Sequence, residues 1–137
     1  MIAFVPTNTD WCRLPDPHMT LVYCGTISEL SLGVFNELAK AAITVARMLH
    51  RPFSLDVTGV EVFGDEEKVD VLRLFTTPQI LLARQMVERW NASEHPFEPH
   101  ATIGPEGSAS GILPTKLYFD QIMVAWGNRQ LVFPLTG

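Results

Sequence analysis

Cysteine is scarce: Cys12 and Cys24 are the 2 in a chain of 137 residues. That is too few for a disulfide framework, and they lack the paired C-x-x-C spacing of a structural zinc site. A reducing, cytoplasmic compartment is the expectation. Long apolar runs are missing as well. Stretches such as Ile2–Val5 and Ile122–Trp126 fall far short of the ~20 residues a membrane-spanning helix needs, so no membrane partner is expected. The N-terminus has no basic region leading into a long apolar core, so no secretory signal peptide is expected either. Basic residues are in deficit, 10 Lys and Arg against 15 Asp and Glu, for a net charge of −5. Proteins that grip long RNA or duplex DNA neutralise many phosphates with Lys and Arg, so that class of partner is disfavoured. A short anionic ligand in a local pocket is still allowed.

What is present describes a folded chain. Hydrophobic residues make up 47% and charged residues 18%, ordinary globular proportions far from those of disorder. A chain of this length buries roughly two-thirds of its unfolded surface. No linker, low-complexity tract or composition shift divides it, so residues 1–137 are expected to form one domain, and a monomer.

Ile2–Val5 reads as a short buried strand, followed by a polar, proline-bearing loop from Thr7 to Pro17 and an apolar run Thr20–Tyr23. Thr26-Ile27-Ser28-Glu29 matches a capping box. Leu32, Phe35, Ala39, Ala42, Ala46 and Leu49 then recur at three- and four-residue steps, predicting a helix from about Ser31 to His50. Phe53, Leu55 and Val57 alternate with polar residues as in a half-buried strand, which Gly59 kinks before Val60–Phe63. The polar turn Gly64–Lys68 returns the chain as Val69–Phe75. Thr77 before Pro78 caps a second helix ending near Asn91. His100–Ile103, Lys116–Trp126 and Leu131–Leu135 complete about seven strands and two helices, an α+β order.

The informative feature is an internal echo. Asp16-Pro17-His18-Met19-Thr20-Leu21 and Glu98-Pro99-His100-Ala101-Thr102-Ile103 match as acid, Pro, His, any residue, Thr, aliphatic. Side chains two apart on a strand share a face, so each copy presents a His and a Thr to one side. If the copies face each other across a cleft, two imidazoles and two hydroxyls surround one point. Displacement at phosphorus needs one proton taken from the nucleophile and one given to the leaving oxygen. Two imidazoles, with unperturbed pKa about 6.5, supply both near neutral pH without a metal or other cofactor. The Thr20 and Thr102 hydroxyls can hold the non-bridging phosphate oxygens. Which histidine is the base stays open.

These motifs resemble those of the two-histidine phosphoesterase superfamily, the LigT-like or 2′-5′ RNA ligase-like proteins, whose signature is a pair of H-x-T or H-x-S motifs. His18-Met19-Thr20-Leu21-Val22-Tyr23-Cys24-Gly25 is similar to the first family motif, and Phe97-Glu98-Pro99-His100-Ala101-Thr102-Ile103 to the second. Pro52-Phe53 through Val62-Phe63-Gly64, then Val71–Leu74, resembles the central hairpin, and Phe133-Pro134-Leu135 the typical close. The resemblance implies a bilobal α+β fold: two pseudo-symmetric lobes of antiparallel strands, helices outside and a central cleft. It also implies a phosphodiesterase acting on a small nucleotide or short oligonucleotide. Relatives open 2′,3′-cyclic phosphates, cleave 2′,5′-oligoadenylates or, in small phage-encoded members, degrade cyclic oligonucleotide immune signals. Two departures stand out. Acid-Pro precedes both histidines, and no Lys or Arg sits immediately beside either motif.

Other candidates carry less. Trp11, Tyr23, Tyr118 and Trp126 are available to stack on a base, with Trp11 ahead because its loop leads into the first motif; core or interface packing is the commoner fate of each. Arg13 and Arg129 are the nearest phosphate clamps, although surface Arg is mostly just solvated. His50 closes a helix, where it suits the C-terminal dipole. His95 reads as a loop residue, and a zinc site from His95, His100 and a cysteine lacks the ligand pattern. Two other functions stay open: a nucleotide-binding module that sequesters without cutting, and RNA 2′,5′ end-joining, which calls for a basic groove that the acidic composition disfavours.

Overall fold

The period-two stretches form seven strands: Ile2–Pro6 (β1), Met19–Val22 (β2), Phe53–Phe63 (β3), Val69–Leu74 (β4), His100–Pro105 (β5), Lys116–Trp126 (β6) and Arg129–Pro134 (β7). Among the described residues the α-helices are Leu32–Leu49 (α1) and Pro78–Val87 (α2), the latter followed by a 3-10 turn at Glu88–Trp90. This computed structural model describes residues 1–25, 32–111 and 113–135. The expected capping box at Thr26–Glu29 lies outside the described residues.

Local chemistry accounts for most boundaries. Thr77 accepts a bond at its hydroxyl from the Ile80 amide at 3.3 Å, with Pro78 in the first turn, so α2 starts where its cap places it. On α1 the buried line runs through Phe35, Leu38, Ala42, Val45, Ala46 and Leu49. Leu32, expected on that stripe, is exposed and Ala39 only half-buried, while Leu38 and Val45 face inward. His50 follows the last helical residue with φ 52°, a left-handed residue that turns the chain away from the helix axis. β3 runs unbroken through Gly59, and the expected kink takes the form of a register slip against β4 between Val57 and Gly59.

All strand pairings are antiparallel. The order is β1-β2-β5-β4-β3-β6-β7, and β1 also pairs with β6. The sheet therefore curls into a ring of β1, β2, β5, β4, β3 and β6, with β7 added to β6. Two halves repeat one pattern around this ring: β2-β1-β6 in one and β5-β4-β3 in the other. The two long strands cross-pair at Phe53–Asp56 and Lys116–Phe119, and the motif strands β2 and β5 meet at the opposite seam. α1 packs on β6 and β7, and α2 on β2 and α1. Arg84 of α2 ties this layer down by donating to the Leu21 carbonyl at 2.8 Å.

Where β1, β3 and β6 meet, Phe4, Phe53 and Phe119 form an aromatic trio with centroids 5.1, 5.2 and 6.2 Å apart. Asp70 is the buried acid of β4, and its Oδ2 accepts from the Gly107 and Ala109 amides, each at 3.0 Å. Those charge-assisted bonds fix the loop that follows the second motif strand. Among the described residues no helix is long and apolar enough to cross a membrane.

Candidate active site

β2 and β5 meet through the register pair Met19 and Ala101, the central residues of the two H-x-T motifs. On this antiparallel register His18 stands opposite Thr102 and Thr20 opposite His100. Alternation then puts all four side chains on one face. Burial agrees, since Met19, Leu21, Ala101 and Ile103 are fully buried while His18, Thr20, His100 and Thr102 are half-buried. A local two-fold axis through the Met19–Ala101 pair relates the motifs.

The symmetry extends one bond outward. His18 Nδ1 lies 2.7 Å from the Asp16 carbonyl oxygen, and His100 Nδ1 lies 2.8 Å from that of Glu98. A carbonyl only accepts, so each Nδ1 carries its proton, and the neutral ring keeps a lone pair at Nε2. Pro17 and Pro99 stand between carbonyl and imidazole with φ restricted by their rings. Residues 16 and 98 thus reach the rings through their main-chain carbonyls, and the Glu98 carboxylate also lies 4.0 Å from Arg73.

The halves differ at His100. β4 sets Arg73 directly opposite it, so the fold supplies the basic neighbour that the sequence reading did not find. Arg73 Nη1 lies 3.0 Å from Glu61 Oε2 and 4.0 Å from Glu98 Oε2. The guanidinium lies 5.6 Å from the Phe63 ring centroid, and that ring in turn lies 4.7 Å from the His100 ring. Burial pushes the His100 imidazole below the ordinary 6.5 of histidine; its bond to the Glu98 carbonyl opposes this, and the charges of Arg73 and His18 add to it. The neutral ring is favoured there. By NMR titration the His100 pKa is expected below 6.5, and Arg73→Gln should move it upward by removing a cation. It should stay short of full restoration, because burial is the larger cause. A His100 titration at or above 6.5 in the wild type would contradict this account.

A cleft of about 630 Å³ opens on the Thr20 and His100 side of the axis. Tyr23, Phe63 and Phe97 contribute aromatic walls, and His95, expected to be a bland loop residue, lies on its lining. Neither cysteine lines it, and among the described residues no group of three or more His, Cys, Asp or Glu is arranged to hold a metal ion.

The remaining sequence candidates are not brought to this cleft. Trp11 is buried in the core, and its indole N–H donates to the Asn8 carbonyl at 2.6 Å. Its ring is occupied by packing. Arg13 runs beside β5, its amide on the Ile103 carbonyl, and its guanidinium donates to the Ser110 hydroxyl at 3.3 Å. Tyr118 is exposed on β6 opposite Ser54. Trp126 packs on Phe35 of α1 at 5.4 Å, with Arg129 at 6.0 Å from its ring. Tyr23, by contrast, does line the cleft.

An antiparallel α+β fold that pairs two H-x-T motifs side by side, with Thr20 and His100 lining a cleft, defines a two-histidine phosphoesterase. The chain belongs to the 2′-5′ RNA ligase superfamily, whose model matches residues 8–117. Among solved structures it is similar to Kluyveromyces marxianus Usb1, at 13% identity and TM-score 0.61 over 96% of this chain and 80% of that one. It is also similar to E. coli LigT in apo form, at 15% identity and TM-score 0.52 over 97% of this chain and 91% of that one. LigT complexed with phosphate gives 17% identity and TM-score 0.51 with the same coverage. At these identities the likeness is one of fold. No curated protein matches.

Proposed function

We propose that this chain is a metal-independent phosphodiesterase that cleaves a cyclic phosphate or phosphodiester in a small nucleotide or short oligonucleotide. His100 serves as base and His18 as acid. The observation that carries this reading is the Met19–Ala101 register, which sets each histidine opposite the other motif's threonine, with each Nδ1 engaged by a carbonyl. A phosphate on the axis receives the Thr20 and Thr102 hydroxyls on its non-bridging oxygens, where negative charge grows in the transition state. His100 Nε2 takes a proton from water as the water oxygen bonds to phosphorus. The P–O bond on the far side breaks, and His18, which enters the step as the imidazolium, delivers its Nε2 proton to the departing oxygen and is left neutral. The depressed basicity of His100 suits the ring that must start neutral.

The test is turnover in EDTA of 2′,3′-cyclic nucleotides, 2′,5′-oligoadenylate and 3′,5′-cyclic di- and trinucleotides. Cleavage of at least one is expected with undiminished rate in chelator. Thr20→Val and Thr102→Val should each lower kcat/KM about 10- to 100-fold, the magnitude of a hydrogen bond to a charged group. Activity abolished by EDTA would refute the mechanism. No cleavage of any member would favour a sequestering module in its place.

A further inference from the structure

The cleft beside His100 is built from two unlike parts. One part is aromatic, from Tyr23, Phe63 and Phe97, with Thr20 and His100 also in the lining. The lining also carries the carboxylates Asp65, Glu67 and Glu98, the last of them 4.0 Å from the Arg73 guanidinium. Asp65 and Glu67 are exposed at the β3–β4 turn, the segment that composition alone would read as a solvated hairpin tip. One guanidinium, Arg84, is among the lining residues, and it is already engaged. Its Nε lies 2.5 Å from Glu88 Oε2, it donates to the Leu21 carbonyl at 2.8 Å, and it stacks over Phe97 at 4.9 Å. The aromatic side chains suit an uncharged, flat, hydrogen-bonding group, and a further anion placed beside Asp65 and Glu67 meets like charge.

We infer that this cleft takes a single uncharged nucleoside, and that Asp65 and Glu67 act as a charge filter against substrates carrying a second phosphate on that side. The inference rests on the proposed phosphate position at the two histidines and narrows the substrate class. A cyclic mononucleotide bearing one phosphate fits. A 5′-phosphorylated nucleotide, or a chain continuing past the rim, places another negative charge against two carboxylates. The cavity is large enough for one nucleoside, being within the range of small-ligand sites. Coulomb repulsion between like charges near a protein surface is of a size to change affinity about tenfold at low salt, and it fades as the screening length shortens.

The experiment is calorimetric binding at low ionic strength of adenosine 3′-monophosphate, the kind of product a 2′,3′-cyclic phosphate yields, and of adenosine 3′,5′-bisphosphate. Wild type should bind the monophosphate about tenfold more tightly. Asp65→Asn/Glu67→Gln should bring the two affinities together, and Tyr23→Ala should weaken both by a similar factor. A bisphosphate bound as tightly as the monophosphate by wild type, a gap unchanged in the double variant, or no binding of either probe would overturn the inference. Hydrolysis is read separately from this measurement. Turnover without an affinity gap sinks the charge filter alone, whereas a gap without turnover of any substrate sinks the phosphodiesterase reading alone.

Discussion

His18→Ala and His100→Ala are each expected to lower kcat by about 10²- to 10⁴-fold, the usual contribution of a positioned acid or base. Circular dichroism and the thermal midpoint should remain close to wild type. Both rings are half-buried on one face of the β2–β5 pair, so truncation removes atoms from that face and leaves the packed Met19 and Ala101 layer beneath it untouched. The double variant should be little worse than either single one, because groups that act in one proton-transfer sequence are grossly non-additive. Steady-state turnover on whichever substrate the wild type cleaves, measured beside the folding controls, decides the matter. Either single variant working within tenfold of wild type would rule out the paired mechanism.

The second large effect is expected far from the cleft. Phe4→Ala should destabilise the protein by about 3–5 kcal/mol, as buried Phe truncations do. Phe4 is fully buried, with Phe53 at 5.1 Å and Phe119 at 6.2 Å. Its strand also pairs with both β2 and β6. A void there disturbs the join between the motif strand and the opposite side of the ring. Urea unfolding should show a lowered midpoint with little change in slope. A loss below about 1 kcal/mol would mean that the neighbours collapse into the space, at odds with rigid packing.

Much of this architecture is legible in the residues themselves. Period-two runs locate the strands, and the Thr77-Pro78 pair marks the start of α2, because these features depend on neighbours in sequence. The His and Thr pairs are legible for a further reason: a six-residue echo constrains both copies at once. What escapes is set by register. Arg73 sits in an apolar run, and nothing local says that β4 will lie beside β5 with residue 73 across from His100. The placement of the aromatic candidates escapes for the same reason. Trp11 is near His18 in sequence but turns into the core, while Tyr23, weighed with them, reaches the cleft because its strand leads there. Asp70 likewise reads as one more polar strand residue until the fold brings the Gly107 and Ala109 amides to it.

In many sites that use an imidazole, a third side chain holds the ring, and its loss cripples the catalyst. Here the Asp16 and Glu98 carbonyls hold the two rings, and every amino acid brings a carbonyl. No codon change at position 16 or 98 can delete the group that orients each histidine. The orientation of the two rings is thereby insulated from side-chain replacement at those two positions, and its inherited fragility lies in the imidazoles themselves.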